Sequence, residues 1–216
     1  AYGGFRYVNG FPGEAPVRPN LSIGDTLAGI HAALGVLLAY IGRQQDGLGQ
    51  VVDVAIFEAI FNLMEGVIPE YDGNGVIRQP SGSTLTGIVP SNTYRCADGK
   101  LIVIGANTNP MFKRLVEAMG KPGMAGDPRL ADNAGRVRHQ DEVDGAVQQW
   151  TSSMNAAAAL AILDEAGVAA GPIYDARDMF EDPHYRARGL FQEVTIDGQP
   201  LNIPAIVPLL ERTPGK

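Results

Sequence analysis

A single cysteine and three histidines leave this 216-residue chain little material for metal or redox chemistry. Cys96 alone closes no internal disulfide and offers no thiolate metal site, and in its strand-like run it reads as a small core residue. His31, His139 and His184 are too dispersed to suggest a metal cluster; His31 falls inside an apolar helix as a satisfied core histidine, and His184, after Asp182-Pro183, reads as a helix-start cap. The patterns G-x-x-x-x-G-K-[ST], G-x-S-x-G and H-E-x-x-H do not occur, which leaves phosphate-loop, serine-hydrolase and zinc-protease readings without support. Basic residues are also few: 17 Lys and Arg against 24 Asp and Glu give a net charge of −7, which argues against nucleic acid or an anionic membrane as a partner. No run reaches the ~18 uninterrupted apolar residues of a membrane span, since Gly35, Gly42 and Arg43 break the best candidate. Ala1-Tyr2-Gly3-Gly4-Phe5 lacks the basic start and apolar run of a secretory signal, so a cytoplasmic protein is expected. The absent initiator Met reads as a start in mid-protein, and the sequon Asn20-Leu21-Ser22 as a chance match.

What is present is apolar and orderly. Hydrophobic residues make up 45% of the chain, ample for the core of one large or two modest domains. Asp25 stands in the run Ser22-Ile23-Gly24-Asp25-Thr26, at the mouth of a helix predicted to continue to Ile41 and to be buried on most of its circumference. Free amides and the positive dipole end of that helix favour a negative charge at Asp25, which position alone makes an N-cap. Gln50 to Ile56 reads as a β-branched strand and Phe57 to Met64 as a buried helix, so the first third looks α/β. Pro69 to Pro90, with Gly73, Gly75, Pro80, Gly82 and Gly87, reads as a linker or long functional loop. Asn92 to Cys96 and Leu101 to Ile104 flank Asp98-Gly99 as a β-hairpin, which opens a small α+β unit. Helices follow over Met111–Met119, stopped by Gly120, over Val143–Trp150, and over Ala156–Ala166, stopped by Gly167. Trp150 and Ala156 to Ala159 belong to packing faces.

Five ordered motifs carry a resemblance. They are Val17-Arg18-Pro19 with Ile23-Gly24-Asp25 and Gly47-Leu48-Gly49-Gln50-Val51-Val52-Asp53; Tyr94-Arg95-Cys96-Ala97-Asp98-Gly99; Asp127-Pro128-Arg129-Leu130 with Asn133 and Arg136; Ala166-Gly167-Val168 through Pro172; and Asp182-Pro183-His184-Tyr185. Together they resemble the class III CoA-transferases, the family of formyl-CoA transferase and carnitine CoA-transferase. The resemblance implies an α/β fold: part of a Rossmann-like large domain plus a small α+β domain, in a family whose chains interlock as a dimer. By that analogy residues 1–66 are part of the large domain, 67–89 the linker or lid loop, 90–190 the small domain and 191–216 the return segment. The family's opening Rossmann segment, which supplies most CoA contacts, and its closing tail have no counterpart among these residues, so the 216 residues alone are expected to be inactive.

The chemistry implied is transfer of CoA from an acyl-CoA donor to a small carboxylic acid, on family habit a dicarboxylate, with coenzyme A as substrate and no permanently bound cofactor. Asp25 takes the place of the family's nucleophilic aspartate, which passes through a mixed anhydride and an aspartyl-CoA thioester. Gly24 and Gly29 are candidates for backbone support of the oxyanion. Gly82 and Gly87 fall where formyl-CoA transferase has a glycine run that closes over the intermediate; the run itself is not present, so a lid and a plain linker are both open. In a chain of net charge −7, a polyanionic CoA must find its cations locally. Two other readings stay open. The 2-methylacyl-CoA racemases of the same superfamily share the aspartate but carry a proton-abstracting Glu after the hairpin, where this chain has Asn107-Thr108-Asn109, and Asn109 is no base. The other is a non-catalytic assembly or binding module.

Overall fold

The computed structural model describes residues 2–215. It begins with α1 (Phe5–Val8), a loop, and the long α2 (Ile23–Asp46), which ends where Gly47 takes the left-handed conformation at φ +77°. An extended segment leads to α3 (Ile56–Phe61) and α4 (Val67–Asn74). Small residues let α2 pack closely against this extended segment and α3. A β-carbon on Gly24 would stand 3.1 Å from Ile56 Cγ2, and one on Gly35 only 2.6 Å from Val52 Cγ1. Gly35, which interrupts an apolar run in the sequence, and Gly24, just before that run, are therefore contact points in the fold.

This first part departs from expectation in five ways. The strand expected over Gln50–Ile56 is absent: Ala55 is extended at φ −91°, ψ 141°, but no described strand pairs with the segment. A β-branched run becomes a strand only beside a neighbour that takes its backbone groups. The helix expected over Phe57–Met64 shortens to α3, with only Ala59 buried. None of α2 is buried, and Ile30, Leu34, Leu37 and Ile41 are 53% to 60% exposed. Burial of an apolar helix requires surfaces on several sides, whereas α3 and Val52 meet only the glycine-bearing stripe. By length and hydropathy alone α2 would also be able to cross a bilayer, contrary to the reading of its interrupted run. Finally, the stretch read as linker begins as a helix, α4. Pro69 sits in its first turn, where a missing N–H breaks no helical bond, and Gly75 closes it at φ +66°. The Arg78 guanidinium then folds back onto Glu70, 3.0 Å from Nε to Oε2, and holds that carboxyl below its usual range.

The core lies in the second part. There β1 (Ser91–Arg95) and β2 (Leu101–Gly105) form the expected antiparallel hairpin, with Tyr94 opposite Ile102 and Gly99 at φ +79° in the turn. After them come α5 (Asn109–Ala118), α6 (Asn133–Arg138), α7 (Gln140–Thr151), α8 (Ala156–Glu165) and β3 (Ala169–Pro172), which pairs with the free edge of β2. Tyr94, Cys96, Ile102, Ile104, Leu115 and Leu163 are buried together, with Trp150 and Met154 packed against them. Gly120 and Gly167 stop α5 and α8 in left-handed conformations, as read from sequence. The chain closes with α9 (Ala176–Glu181), α10 (Pro183–Ala187) and a second hairpin, β4 (Phe191–Ile196) with β5 (Gln199–Pro204), turned by Asp197-Gly198 at φ +51° and +77°. His184 does not cap α10. Asp182 does, accepting the His184 N–H at 2.6 Å, because a carboxylate reaches the free amides behind a proline at the first helical position.

Arg136 joins the pieces of this unit. It is fully buried and donates to the carbonyls of Val89, Leu130 and Asn107 and to Asn109 Oδ1, with its guanidinium 4.8 Å above the Phe112 ring. Burial pushes its pKa down.

Candidate active site

Asp25 is the third residue of α2 rather than its cap. Ser22 occupies the cap position without a side-chain hydrogen bond, and the first backbone bond runs from Thr26 N–H to Ser22 O at 3.1 Å. The amides of Ile23, Gly24 and Asp25 consequently have no helical acceptor, and the positive end of a 24-residue helix lies beside an exposed carboxylate.

A cavity of about 360 Å³ opens at this helix end. Its wall includes Gly24 and Asp25 from α2, Ile56 and Phe57 from α3, and Arg6 and Arg18 from the preceding segment. Phe57 is fixed by an edge-on contact with Tyr2, ring centroids 5.6 Å apart. Gly3 has to be glycine: a β-carbon there would stand 2.7 Å from the Phe57 carbonyl oxygen and 2.6 Å from Ile60 Cγ2. Arg6 and Arg18 are brought to one cavity by a loop closed at its neck. Val17 N–H donates to Asn9 O at 3.0 Å and Asn9 Nδ2 donates to Val17 O at 3.2 Å, so the residues just before and just after the loop emerge side by side.

Of the residues singled out by sequence, Asp25 and Gly24 share this cavity. Gly29 lies one turn further along α2, outside the wall, where amides bond to the carbonyl four residues back. Gly82 and Gly87 are also outside it, but the loop that carries them leans on the same neck. Gly82 N–H donates to Gly10 O at 2.8 Å, its Cα faces the Phe11 ring, and Tyr7 Oη meets the Gln79 side chain. At its other end Ser83 Oγ donates to Asn92 Oδ1 at 2.6 Å, and Asn133 Nδ2 to Gly87 O at 2.8 Å. Asn109, expected from the sequence to stand where the racemases carry a Glu, accepts from Arg136 and starts α5. No group of three or more His, Cys, Asp or Glu able to hold a metal occurs among the described residues. Arg6, in α1, carries no signal in the sequence, and Arg18 stands out only as part of a motif; neither residue type nor spacing marks either arginine as part of a pocket.

An unbonded carboxylate and free amides at one end of a cavity suit nucleophilic acyl transfer. The family model described as CoA-transferase family III matches residues 1–216, and the chain belongs to that family. Among its relatives, it is 45% identical to succinyl-CoA–D-citramalate CoA-transferase of Chloroflexus aurantiacus over all of this chain and 54% of the relative. It is 35% identical to the alpha subunit of succinyl-CoA–L-malate CoA-transferase of the same species, over all of this chain and 51% of that subunit. A crystal structure of a CAIB/BAIF family protein from Brucella suis superposes with a TM-score of 0.73 at 27% identity, over 95% of this chain and 54% of that one. The chain spans about half the length of the curated relatives it matches. The fold is accordingly the mixed α/β fold of these structures, and the family's substrates are CoA thioesters.

Proposed function

We propose that the complete protein moves CoA from a short dicarboxylic acyl-CoA to a short dicarboxylic acid, with Asp25 as the nucleophile. The observation that carries this reading is the Asp25 carboxylate at the free-amide end of α2, on the wall of a cavity of about 360 Å³, in a chain of this family. A cavity of that size has room for a small acid. The named substrates of the two relatives, succinyl-CoA with citramalate or malate, support diacids in both roles.

In this proposal a carboxylate oxygen of Asp25 adds to the thioester carbonyl of the donor. The C–S bond breaks, CoA leaves as thiolate, and a mixed anhydride remains. The thiolate then attacks the Asp25 carbonyl of that anhydride, which releases the donor acid as carboxylate and leaves an aspartyl-CoA thioester. The acceptor carboxylate attacks this thioester, and the same two steps run in reverse to give acceptor acyl-CoA and free Asp25. Each tetrahedral oxyanion is stabilised by amides at the start of α2, a role that the position of Gly24 on the cavity wall supports and that of Gly29, one turn away, does not. The Ser81–Gly87 loop acts as a lid through its bonds to Gly10 and Asn92.

The domain division at 66/67, 89/90 and 190/191 and the interlocked homodimer belong to the same proposal. The exposed apolar residues of α2 support an assembly that covers them, and an open site supports inactivity of these 216 residues alone. The test is a screen of acids against succinyl-CoA with the complete protein. Exchange with malate- or citramalate-like acids is expected; hydrolysis alone, or no reaction with any acid, contradicts the proposal.

A further inference from the structure

We infer that Arg6 and Arg18 form the subsite that reads the second, non-reacting carboxylate of the acid bound next to Asp25. The inference rests on the CoA-transfer reading above and adds residues for its choice of substrate. Among the described residues neither guanidinium takes part in an ion pair or a side-chain hydrogen bond, although both line the cavity. Buried or clamped arginines elsewhere are committed: Arg136 to four oxygens, Arg129 to Asp127 and Glu142, Arg78 to Glu70. The pair at the cavity is held in place by the neck at Asn9 and Val17. A chain with seven more acidic than basic side chains thus has two cations and one anion on the wall of this cavity.

The balance matters because it changes during the proposed reaction. With Asp25 free, the wall carries a net charge of +1; once Asp25 becomes an anhydride or thioester, its charge is gone and the wall carries +2. Attraction for a dianion is then greatest at the stage when the acceptor has to bind. Arginine also suits a carboxylate geometrically, since its planar fork donates two parallel hydrogen bonds. CoA phosphates are the other source of anionic oxygen. The cavity lies at the reacting carboxylate, where the acid has to bind, which favours the acid over the nucleotide end of CoA.

The test uses Arg6→Gln, Arg18→Gln and the double variant in the complete protein. Acetyl-CoA is the donor, because it has no distal carboxylate, and malate is compared with 2-hydroxybutyrate as acceptor. Wild type should prefer malate. Each Gln substitution should lower kcat/KM for malate about tenfold or more, the loss expected for a charge-assisted bond. The KM for acetyl-CoA and the rate with 2-hydroxybutyrate should stay within about twofold, and Arg→Lys should restore part of the malate preference. Both side chains are exposed, so folding should be unaffected. A raised KM for acetyl-CoA with unchanged malate preference would assign the pair to CoA phosphate and overturn the inference. If wild type transfers nothing from acetyl-CoA or from succinyl-CoA, the transfer reading fails separately, and calorimetric binding of malate decides the subsite: weaker binding in the double variant supports it, and equal binding overturns it.

Discussion

Replacing Arg136 with methionine should destabilise the second part of the chain by about 3 to 5 kcal/mol, the range for removing one member of a buried polar cluster. The figure follows from its partners. Arg136 donates to the carbonyls of Val89, Leu130 and Asn107 at 3.0, 3.1 and 2.6 Å and to Asn109 Oδ1 at 3.1 Å. Methionine fills much of the volume but leaves these oxygens without a donor, at about 1 to 3 kcal/mol for each that stays dry. Relief from burying a charge offsets part of that sum, which is why the total stays below the product of four such penalties. The contact with Phe112, 4.8 Å from guanidinium to ring centre, is lost as well. Urea unfolding followed by Trp150 fluorescence reads this directly, since Trp150 packs on the same unit's core. Arg136→Lys should recover under half of the loss, because an ammonium does not span oxygens arranged for a fork. A change below about 1 kcal/mol for methionine would show that water or movement of the Asn107–Asn109 loop satisfies these oxygens, and the tie described here would be wrong.

Gly3→Ala should reduce transferase activity more than stability. Its β-carbon would meet the Phe57 carbonyl at 2.7 Å and push the cavity wall, whereas overpacking costs about 1 to 3 kcal/mol overall; equal thermal shift and unchanged kinetics would refute the tight contact. The Asp182 carboxyl is held below its usual range first by the Tyr174 hydroxyl and then by the His184 amide. Its contribution is therefore present above the ordinary carboxylate value of about 3.9 and is lost as pH falls through the lower folded value, so Asp182→Asn should flatten the acid limb of stability below about pH 4. The complete protein should take up no deuterium at the α-carbon of a 2-methylacyl-CoA in heavy water without an acid acceptor, since Asn109 is bound to Arg136 and is no base. Mass spectrometry checks this, and rapid uptake would favour the racemase reading. Ser83→Ala removes the 2.6 Å bond from the loop to Asn92 and should lower kcat if that loop is a lid; proline at Gly82 or Gly87 is no test, because their φ values of +68° and +81° are closed to proline.

The second part of the chain was legible because its signals are local. Asp98-Gly99 fixes a turn, Gly120 and Gly167 stop helices, and spacing marks the buried faces of α5, α7 and α8. Asp197-Gly198 carries the same signal and specifies the β4–β5 hairpin equally well. The first part is less legible because burial and strand pairing are not local. Ile30 and Leu37 are apolar whether or not anything covers them, and Gln50–Ile56 is β-branched whether or not a strand lies alongside. Asp25 stood out through its place before an apolar run and its motif, but its distance from the cap came only from the backbone. Arg6 and Arg18 were hidden because a loop neck, made of Asn9 and Val17, brings them together.

The most direct test is Asp25→Asn in the complete protein, assayed for CoA exchange and for trapping with hydroxylamine. Asparagine keeps the shape and forfeits about 0.3 to 1 kcal/mol of favourable helix-end electrostatics, so folding should be preserved. The account predicts loss of exchange by orders of magnitude and, in the unsubstituted protein given acyl-CoA and hydroxylamine, a hydroxamate on the peptide that contains Asp25. A folded Asp25→Asn protein that still exchanges CoA, with no hydroxamate at Asp25, would contradict it.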